Sequence, residues 1–427
     1  KSENQPFDHV QTYLMDNASY LTDQPFTDLD LEPELIRGLE TAGFSHCTQI
    51  QQQALPLALA GKDVAGQAQT GTGKTAAFGI PLLDSLKHTS RVQALILAPT
   101  RELAIQISRE LEKFGKHTDL QFATVFGGVS MHHQIRKIRT ADVVIGTPGR
   151  ILDHLNQKTL RLSNLTHFIL DEADRMVDMG FIIDIEKILR YAPKKKQMIL
   201  FGATISHEVS LIREKYMNKP MIAESEVHVT EEYLEQYYYN VQKQKKFSLL
   251  VHLLKTENAD QIIIFCSSIR TVELVSKNLK ANGIKSGMIH GKMNQNKRMR
   301  SIKEFNDGNQ TILVASPVAA RGLDIKNVSH IFNYDLSKDP QEYVHRVGRT
   351  ARAGETGKAV TLLSARDHPA FGQILQNYDL NIQEIVSNGF PIVKFDAGSF
   401  RPRNNRFGKQ RVRSRYGPRR GRSRPRR

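Results

Sequence analysis

The stretch KDVAGQAQTGTGKTAAFGIPLLDSL, residues 62–86, decides the fold class. A short apolar run, DVAG, gives way to a loop of small residues and then to a segment with helical patterning. Strand, loop and helix in that order are the context a phosphate loop requires. Within AQTGTGKT (68–75), Gly71 and Gly73 allow close backbone approach, and successive N–H groups form an anion nest. The start of the following helix adds its dipole. Lys74 can reach the β and γ phosphates of a nucleotide, and Thr75 can hold Mg²⁺. The candidate loop is therefore Ala68, Gln69, Thr70, Gly71, Thr72, Gly73, Lys74 and Thr75, with one departure: the general pattern has Gly where Ala68 stands.

A second stretch, FILDEADRM (168–176), needs a partner of this kind. Phe168, Ile169 and Leu170 read as a buried strand, and carboxylates at its end lose hydration unless a cation or polar ligand meets them. Asp171 is placed to bind Mg²⁺ through water, and Glu172 to orient or deprotonate an attacking water. Asp174 is expected to tie the segment to a neighbouring loop. An acidic helix start near the dipole would explain one carboxylate, but not three beside a phosphate loop.

Around these two stretches, continuously apolar runs alternate with helical patterns. KDVAGQA, ALILAPT, ATVFGG, DVVIGTPG, FILDEAD and MILFGAT read as buried strands, and RELAIQISRELEKFGKH as a helix between them. This pattern means a parallel α/β sheet. It breaks at ESEVHVTEEYLE (224–235) and resumes with QIIIFCSS, SGMIHG, TILVASP, HIFNYDL and AVTLLS. The fold class is therefore α/β, with two units in tandem. The expected layout is a flexible arm over 1–24, a first domain over 25–223, a linker over 224–235, a second domain over 236–390 and a basic tail over 391–427. Ligands of open α/β sheets sit off the carboxyl ends of the strands, where nearly every polar cluster falls.

Composition bounds the rest. A chain of 427 residues, 40% apolar and 24% charged, fits a two-domain globular protein. No apolar run approaches the ~18 residues of a membrane helix, and the first residues lack the apolar core of a secretion signal. A cytoplasmic location follows, with Cys47 and Cys266 as reduced thiols. The net charge is +16, yet residues 400–427 hold twelve Arg, one Lys and no acid. Removing those 13 leaves 47 basic against 44 acidic residues, or +3. Such a tail cannot bury a core and should be disordered. Its expected partner is a phosphate polymer.

Taken in order along the chain, the motifs resemble the DEAD-box family of ATP-dependent RNA helicases over roughly residues 26–364. The resemblance implies two RecA-like domains that clamp ATP and single-stranded RNA between them. In GFSHCTQIQ it implies that Gln51 takes the adenine edge, that Phe44 packs on the adenine face, and that Phe26 is the family's upstream aromatic. It implies RNA-backbone contacts from Pro99, Thr100 and Arg101, from Gly127 and Gly128, from Thr147, Pro148 and Arg150, and from Gln295 and Arg298. In ARGLDI, Gly322 would allow close approach and Asp324 would touch the ribose. In HRVGRTAR, Arg349 and Arg352 would reach the γ-phosphate, which with Lys74, Asp171 and Glu172 completes the catalytic set. Asp174, Gly202, Ala203, Thr204, His345 and Arg346 would couple the domains. The cofactors implied are ATP and Mg²⁺.

Three departures stand out. The family usually has Pro-Thr-Pro at Cys47-Thr48-Gln49, Ser-Ala-Thr at Gly202-Ala203-Thr204, and Thr-Asp at Ser316-Pro317. Loss of the hydroxyl at 202 is expected to weaken coupling through Asp174, and Pro317 to remove one contact. The implied activity is local, non-processive separation of short RNA duplexes, or remodelling of RNA and RNA–protein complexes. The alternatives are an ATP-gated RNA clamp, annealing factor or scaffold, and a DNA helicase. A monomer is expected, with RNA-decay or ribosome-assembly proteins as the class of protein partner. The short arm and compact body resemble bacterial members.

Overall fold

The computed structural model describes residues 21–68, 72–224, 234–320, 325, 328–337, 339–351, 356–378, 380–387 and 389–397, without the side chains of residues 295, 318 and 320. Apart from a short antiparallel pair, Leu21–Pro25 with His46–Thr48, the strands of the first half are β1 (Val64–Gln67), β2 (Ala94–Leu97), β3 (Phe122–Val125), β4 (Val143–Gly146), β5 (His167–Leu170), β6 (Gln197–Gly202) and β7 (Met221–Glu224). They form one parallel sheet in the order β3-β4-β2-β5-β6-β1-β7. The second half contributes β8 (Leu234–Asn240), β9 (Ile262–Phe265), β10 (Gly287–Ile289), β11 (Ile312–Ala315), β12 (His330–Asn333), β13 (Gly357–Leu363) and β14 (Gln383–Glu384). Their order is β10-β11-β9-β12-β13-β8-β14, also parallel throughout. Subtracting seven from each label turns the second order into the first, so the two sheets share one topology. This is the tandem α/β architecture expected from the sequence.

The strands are apolar on both faces because helices cover both. Along β2, Ala94 and Ile96 face one helix layer while Leu95 and Leu97 face the other. Along β6, Ile199 and Phe201 alternate in the same way with Met198 and Leu200. Each fully buried Ile, Leu, Met or Phe among these contributes about 1.5–3 kcal/mol. The first layer draws Ile107, Leu111 and Phe114 from the helix Arg101–Phe114. The second draws Ile185 and Ile188 from Ile182–Tyr191.

Besides the short pair Leu21–Pro25 and His46–Thr48, three strands escaped the sequence reading. β7 and β14 are edge strands, exposed at Met221, Ile222, Gln383 and Glu384, so neither shows the apolar run of a central strand. β8, LEQYYYN, has one aliphatic residue beside polar and tyrosine side chains, so it lacks the aliphatic run of a central strand. Residues 224 and 234–235, expected in the linker, belong to β7 and β8, and residues 225–233 lie outside the described ones. Residues 391–395, expected in the tail, pack on the second domain. Val393 N–H donates to Ser248 Oγ at 3.1 Å, Asn282 Nδ2 donates to the Lys394 carbonyl at 3.1 Å, and the Phe395 and Phe247 rings lie 4.9 Å apart. The arm before residue 21 and the tail beyond 397 also lie outside the described residues.

The shared topology places an echo of the phosphate loop in the second domain. Lys246 opens the helix after β8 as Lys74 opens the helix after β1, and Asp335 follows β12 as Asp171 follows β5. In the second domain the Lys246 ammonium is buried, bonded to Asp367 at 2.8 Å and 3.7 Å from Asp335. A carboxylate of the chain itself thus neutralises the cation that a phosphate would otherwise meet. No glycine loop precedes Lys246.

Among the described residues no helix is long and apolar enough to cross a membrane. Cys47 and Cys266 are free and buried. Burial pushes the Cys47 thiol up to about 11 and the Cys266 thiol well above its ordinary value, so neither is a thiolate near neutral pH.

Candidate functional site: a nucleotide and nucleic-acid cleft

The phosphate loop lies at the carboxyl end of β1. Lys74 opens the helix Lys74–Ser85, is buried, and donates from Nζ to the Ala68 carbonyl at 2.9 Å. Gly73 caps that helix in the left-handed region, φ +89°, and a Cβ there would fall 2.2 Å from Gln51 Nε2. Glycine is required on both counts. Gln51 itself spans two elements: Oε1 accepts from Thr48 N at 2.8 Å and Nε2 donates to the Gly73 carbonyl at 3.0 Å. Thr48 Oγ1 donates to the Thr72 carbonyl at 2.8 Å. The expected adenine reader therefore also braces the loop, with one N–H and one lone pair left over. Cys47-Thr48-Gln49 still forms a capped helix start, since Thr48 and Gln51 make a capping box. Phe26 is a core residue, edge-on to Phe44, which is edge-on to Phe114 at 5.0 Å. Gln69, Thr70 and Gly71 lie outside the described residues.

At the end of β5 the acids are gathered under the same loop. Asp171 and Glu172 are both buried. Burial pushes the Asp171 carboxyl up to about 7 against the pull of the Lys74 charge. A buried carboxyl so far from its ordinary range, beside a lysine and a phosphate loop, fits a site completed by a cation. Burial also opposes ionisation of Glu172, but the charges of Arg175, Lys74 and Arg349 overcome it and hold this carboxyl below its usual value. Glu172 is thus an ionised acceptor, ion-paired with Arg175. Its backbone is left-handed, φ +52°, a conformation that costs a non-glycine residue about 1–2 kcal/mol. Asp174 turns toward the end of β6: its Oδ2 accepts from Ala203 N and Thr204 N, each at 3.1 Å. This is the tie to a neighbouring loop that the sequence suggested.

On the same rim two guanidinium groups converge on one turn. A Cβ at Gly127 would lie 3.4 Å from Arg101 Nη2 and 3.9 Å from Arg150 Nη2. Like charges brought this close mark a place for an anion. Thr100 caps the helix that carries Arg101, accepting from Leu103 N at 3.3 Å, while Thr147 and Pro148 open the helix that carries Arg150. Buried Pro99 precedes the first of these. Sequence reasoning missed Gln134, which is buried behind the pair. Its Oε1 accepts from Arg150 Nη1 at 3.3 Å and pairs with His154 Nε2 at 3.0 Å, and its Nε2 donates to the Phe126 carbonyl at 2.8 Å. It links Arg150 to the turn before Gly127. A lone Gln on a helix gives no sequence signal. Gly128 has φ +83°, and a Cβ there would meet Arg101 Nη1 at 2.3 Å. Gly128→Ala should weaken RNA binding about tenfold, from ~1–2 kcal/mol of backbone strain and a displaced guanidinium, with ATP affinity unchanged. Fluorescence anisotropy with labelled RNA checks this, and an unchanged Kd would remove the turn from the interface.

The second domain reaches across at three points. Arg298, expected on RNA, instead pairs with Glu102 of the first domain at 3.2 Å and donates to the Ala319 carbonyl at 2.7 Å. Gln341 Nε2 donates to Thr204 Oγ1 at 2.6 Å. Arg349 is buried and lowers the Glu172 pKa through its charge. Arg346, expected to couple the domains, is a strut within the second: it pairs with Glu342, donates to the Asp335 carbonyl at 2.6 Å and covers the Phe265 ring. His345 lies on the same helix, Pro340–Val347, and is partly buried. Pro317 begins the turn Pro317–Ala320, where a helix has no use for the missing N–H. Gln295 opens the helix Gln295–Asn306. Gly322, Asp324 and Arg352 lie outside the described residues.

The comparisons with known proteins agree with this geometry. The DEAD/DEAH box helicase family matches residues 48–212, and the helicase conserved C-terminal domain matches residues 245–354. The DEAD-box ATP-dependent RNA helicase CshA of Bacillus cereus is 46% identical over 345 residues, 80% of this chain and 66% of that relative. CshA of Geobacillus kaustophilus is 45% identical over 345 residues, 80% of this chain and 74% of the relative. The chain thus spans about two thirds of the length of the Bacillus relatives, 66% in one and 65% in another. Among solved structures, Dbp5 of S. cerevisiae bound to RNA and ADP BeF3 is 32% identical, with a TM-score of 0.78 over 85% of this chain and 96% of that one. The two domains are accordingly RecA-like. Likeness at this level spans both domains: the chain belongs to the DEAD-box family of ATP-dependent RNA helicases.

Proposed function

We propose that this chain hydrolyses ATP in response to RNA, and uses domain closure to separate short duplexes or remodel RNA without processive travel. The observation that carries this reading is that the second domain contacts the first on the rim that holds Lys74, Asp171 and Glu172, through Arg298 to Glu102 at 3.2 Å and Gln341 to Thr204 at 2.6 Å, with the Arg349 charge acting on Glu172. Neither domain holds a complete site, so closure assembles it. Thr75 and Asp171 would hold Mg²⁺, which when bound offsets phosphate charge. Glu172 is ionised and placed to take a proton from the attacking water. Lys74 and Arg349 supply positive charge from two sides. Arg101 and Arg150 bind the RNA backbone, which gives affinity without sequence preference. The likeness to a Dbp5 structure that holds RNA and ADP BeF3 supports RNA and an adenine nucleotide as ligands. We place the chain in the cytoplasm as a monomer, with RNA-decay or ribosome-assembly proteins as the class of partner.

The test is ATP turnover with and without single-stranded RNA, together with separation of a short RNA duplex, on the full chain and on a chain ending at residue 397. Both should show RNA stimulation. The shorter chain loses the 13 basic residues of 400–427. It should bind RNA more weakly, with a shallower dependence of log Kd on log salt. Equal salt slopes would remove the tail from RNA binding. Absence of stimulation in both chains would remove the functional reading. The second reading is an ATP-gated clamp, drawn from the buried Asp174 Oδ1, which faces Gly202 and lacks a hydrogen-bond partner among the described residues. It calls for RNA-stimulated turnover with no strand separation.

A further inference from the structure

Thr204 is a junction between the two domains. Its Oγ1 lies 2.6 Å from Gln341 Nε2 and 3.4 Å from Asp174 Oδ2. An amide nitrogen can only donate, so the hydroxyl accepts from Gln341 and turns its own proton toward the carboxylate. A hydroxyl that donates to a carboxylate is the stronger acceptor for it. The other oxygen, Asp174 Oδ1, is buried and has no hydrogen-bond partner among the described residues. A Cβ at Gly202 would fall 3.2 Å from that oxygen, so a side chain at 202 would stand beside it. Glycine there leaves Asp174 tied to the 203–204 loop through Oδ2 alone.

Gln341 stands in the first turn of the helix Pro340–Val347, whose start is fixed by Asp339 Oδ1 accepting from Gln341 N at 3.0 Å. Gly348 ends that helix, and Arg349 follows it. Eight helical residues span about 12 Å. One short rod therefore holds Gln341 against Thr204 at one end and carries Arg349 just past the other. The Arg346–Glu342 pair and the Arg346 bond to the Asp335 carbonyl fasten the rod to its own sheet.

We propose that Gln341 is a positioning residue of the hydrolysis reaction: by donating to Thr204 it seats this helix on the 203–204 loop and so sets Arg349 on Glu172 at closure. The proposal rests on the functional reading above. It makes the loop after β6 the place where closure is felt by the DEAD segment, through Thr204 to Asp174. Because Gly202 brings no hydroxyl, Gln341 carries a larger share of that contact.

The test uses the full chain with Gln341→Leu, Gln341→Glu, Thr204→Val and the double variant Gln341→Leu/Thr204→Val. Turnover is titrated with oligouridine to give kcat and KM for RNA. Energy transfer between dyes on the two domains, with a non-hydrolysable ATP analogue and RNA, reads closure. Gln341→Leu should lower RNA-stimulated kcat about fivefold, the worth of one hydrogen bond, and should lower the closed fraction, with the melting temperature unchanged. Gln341→Glu should lose more, because it offers an acceptor and a negative charge where a donor stood. The double variant should be no worse than Thr204→Val alone, since both remove one interaction. Losses that multiply, or a Gln341→Leu chain with unaltered kcat and closure, would overturn the proposal. Lack of RNA stimulation in the unaltered chain would overturn the functional reading itself, and this proposal with it.

Discussion

Glu172→Gln should lower ATP turnover about 10³-fold, within the 10²–10⁴ range of a general base, while ATP affinity stays within about twofold, because nucleotide binding does not need that proton acceptor. The side chain keeps its length and loses only its charge and basicity. In the folded chain Glu172 is buried, yet Arg175, Lys74 and Arg349 keep it ionised, so a negative acceptor stands ready where the water must lose its proton. Its left-handed backbone is a cost that nothing in the packing explains, and strain of this kind collects at reacting groups. The variant should also hold RNA longer in the presence of ATP, since closure is intact and the step that reopens the cleft is blocked. Single-turnover hydrolysis separates the two effects. A rate within about fivefold of the parent would mean that Glu172 serves only to pair with Arg175, and the base must be sought elsewhere.

The nucleotide half of the site was legible because its chemistry demands neighbours along the chain. A glycine loop, a lysine and a hydroxyl must follow one strand within a few residues, and the acids must end another. The same holds for the fold: strands buried on both faces write themselves as apolar runs, as β2 and β4 do. What stayed hidden was made by contacts distant in sequence. Gln341 and Thr204 are 137 residues apart, and Gln134 meets Arg150 across 16. Neither glutamine differs from any other until the sheet is assembled. Arg298 and Arg346 show the complementary limit. Resemblance supplied their residue types, but only packing shows that one bridges to Glu102 and the other braces its own domain. Lys246 shows it again. Without a glycine loop nothing marks it as the counterpart of Lys74, and the shared strand order alone reveals the correspondence. That correspondence has a consequence for mechanism. The second domain has the frame of a phosphate site but fills it with Asp367, and in the function proposed above one nucleotide would serve both domains, the second contributing from outside that frame.

Arg349 is the contribution we propose. Arg349→Ala should cut RNA-stimulated kcat by about 10³, the lower end of what an arginine finger supplies. ATP affinity measured without RNA should hardly move, because an open chain does not bring the second domain to the nucleotide. Arg349→Lys should recover little, since a lysine gives a point charge without the planar fork that meets a phosphoryl group at two oxygens. The geometry behind this is the rod that ends at Gly348: Arg349 is buried, its backbone N–H is bonded to the Arg346 carbonyl at 3.1 Å, and its charge reaches Glu172 across the cleft. A guanidinium near a carboxylate in the absence of phosphate is poised to turn to the stronger anion when phosphate arrives. A purely structural Arg349 predicts a different pattern: a lower melting temperature, and a kcat per folded molecule that stays within tenfold of the parent. Arg352→Ala is the companion measurement. If it carries the 10³-fold loss and Arg349→Ala does not, the finger is the later arginine, and the buried charge beside Glu172 serves to hold that carboxylate ionised.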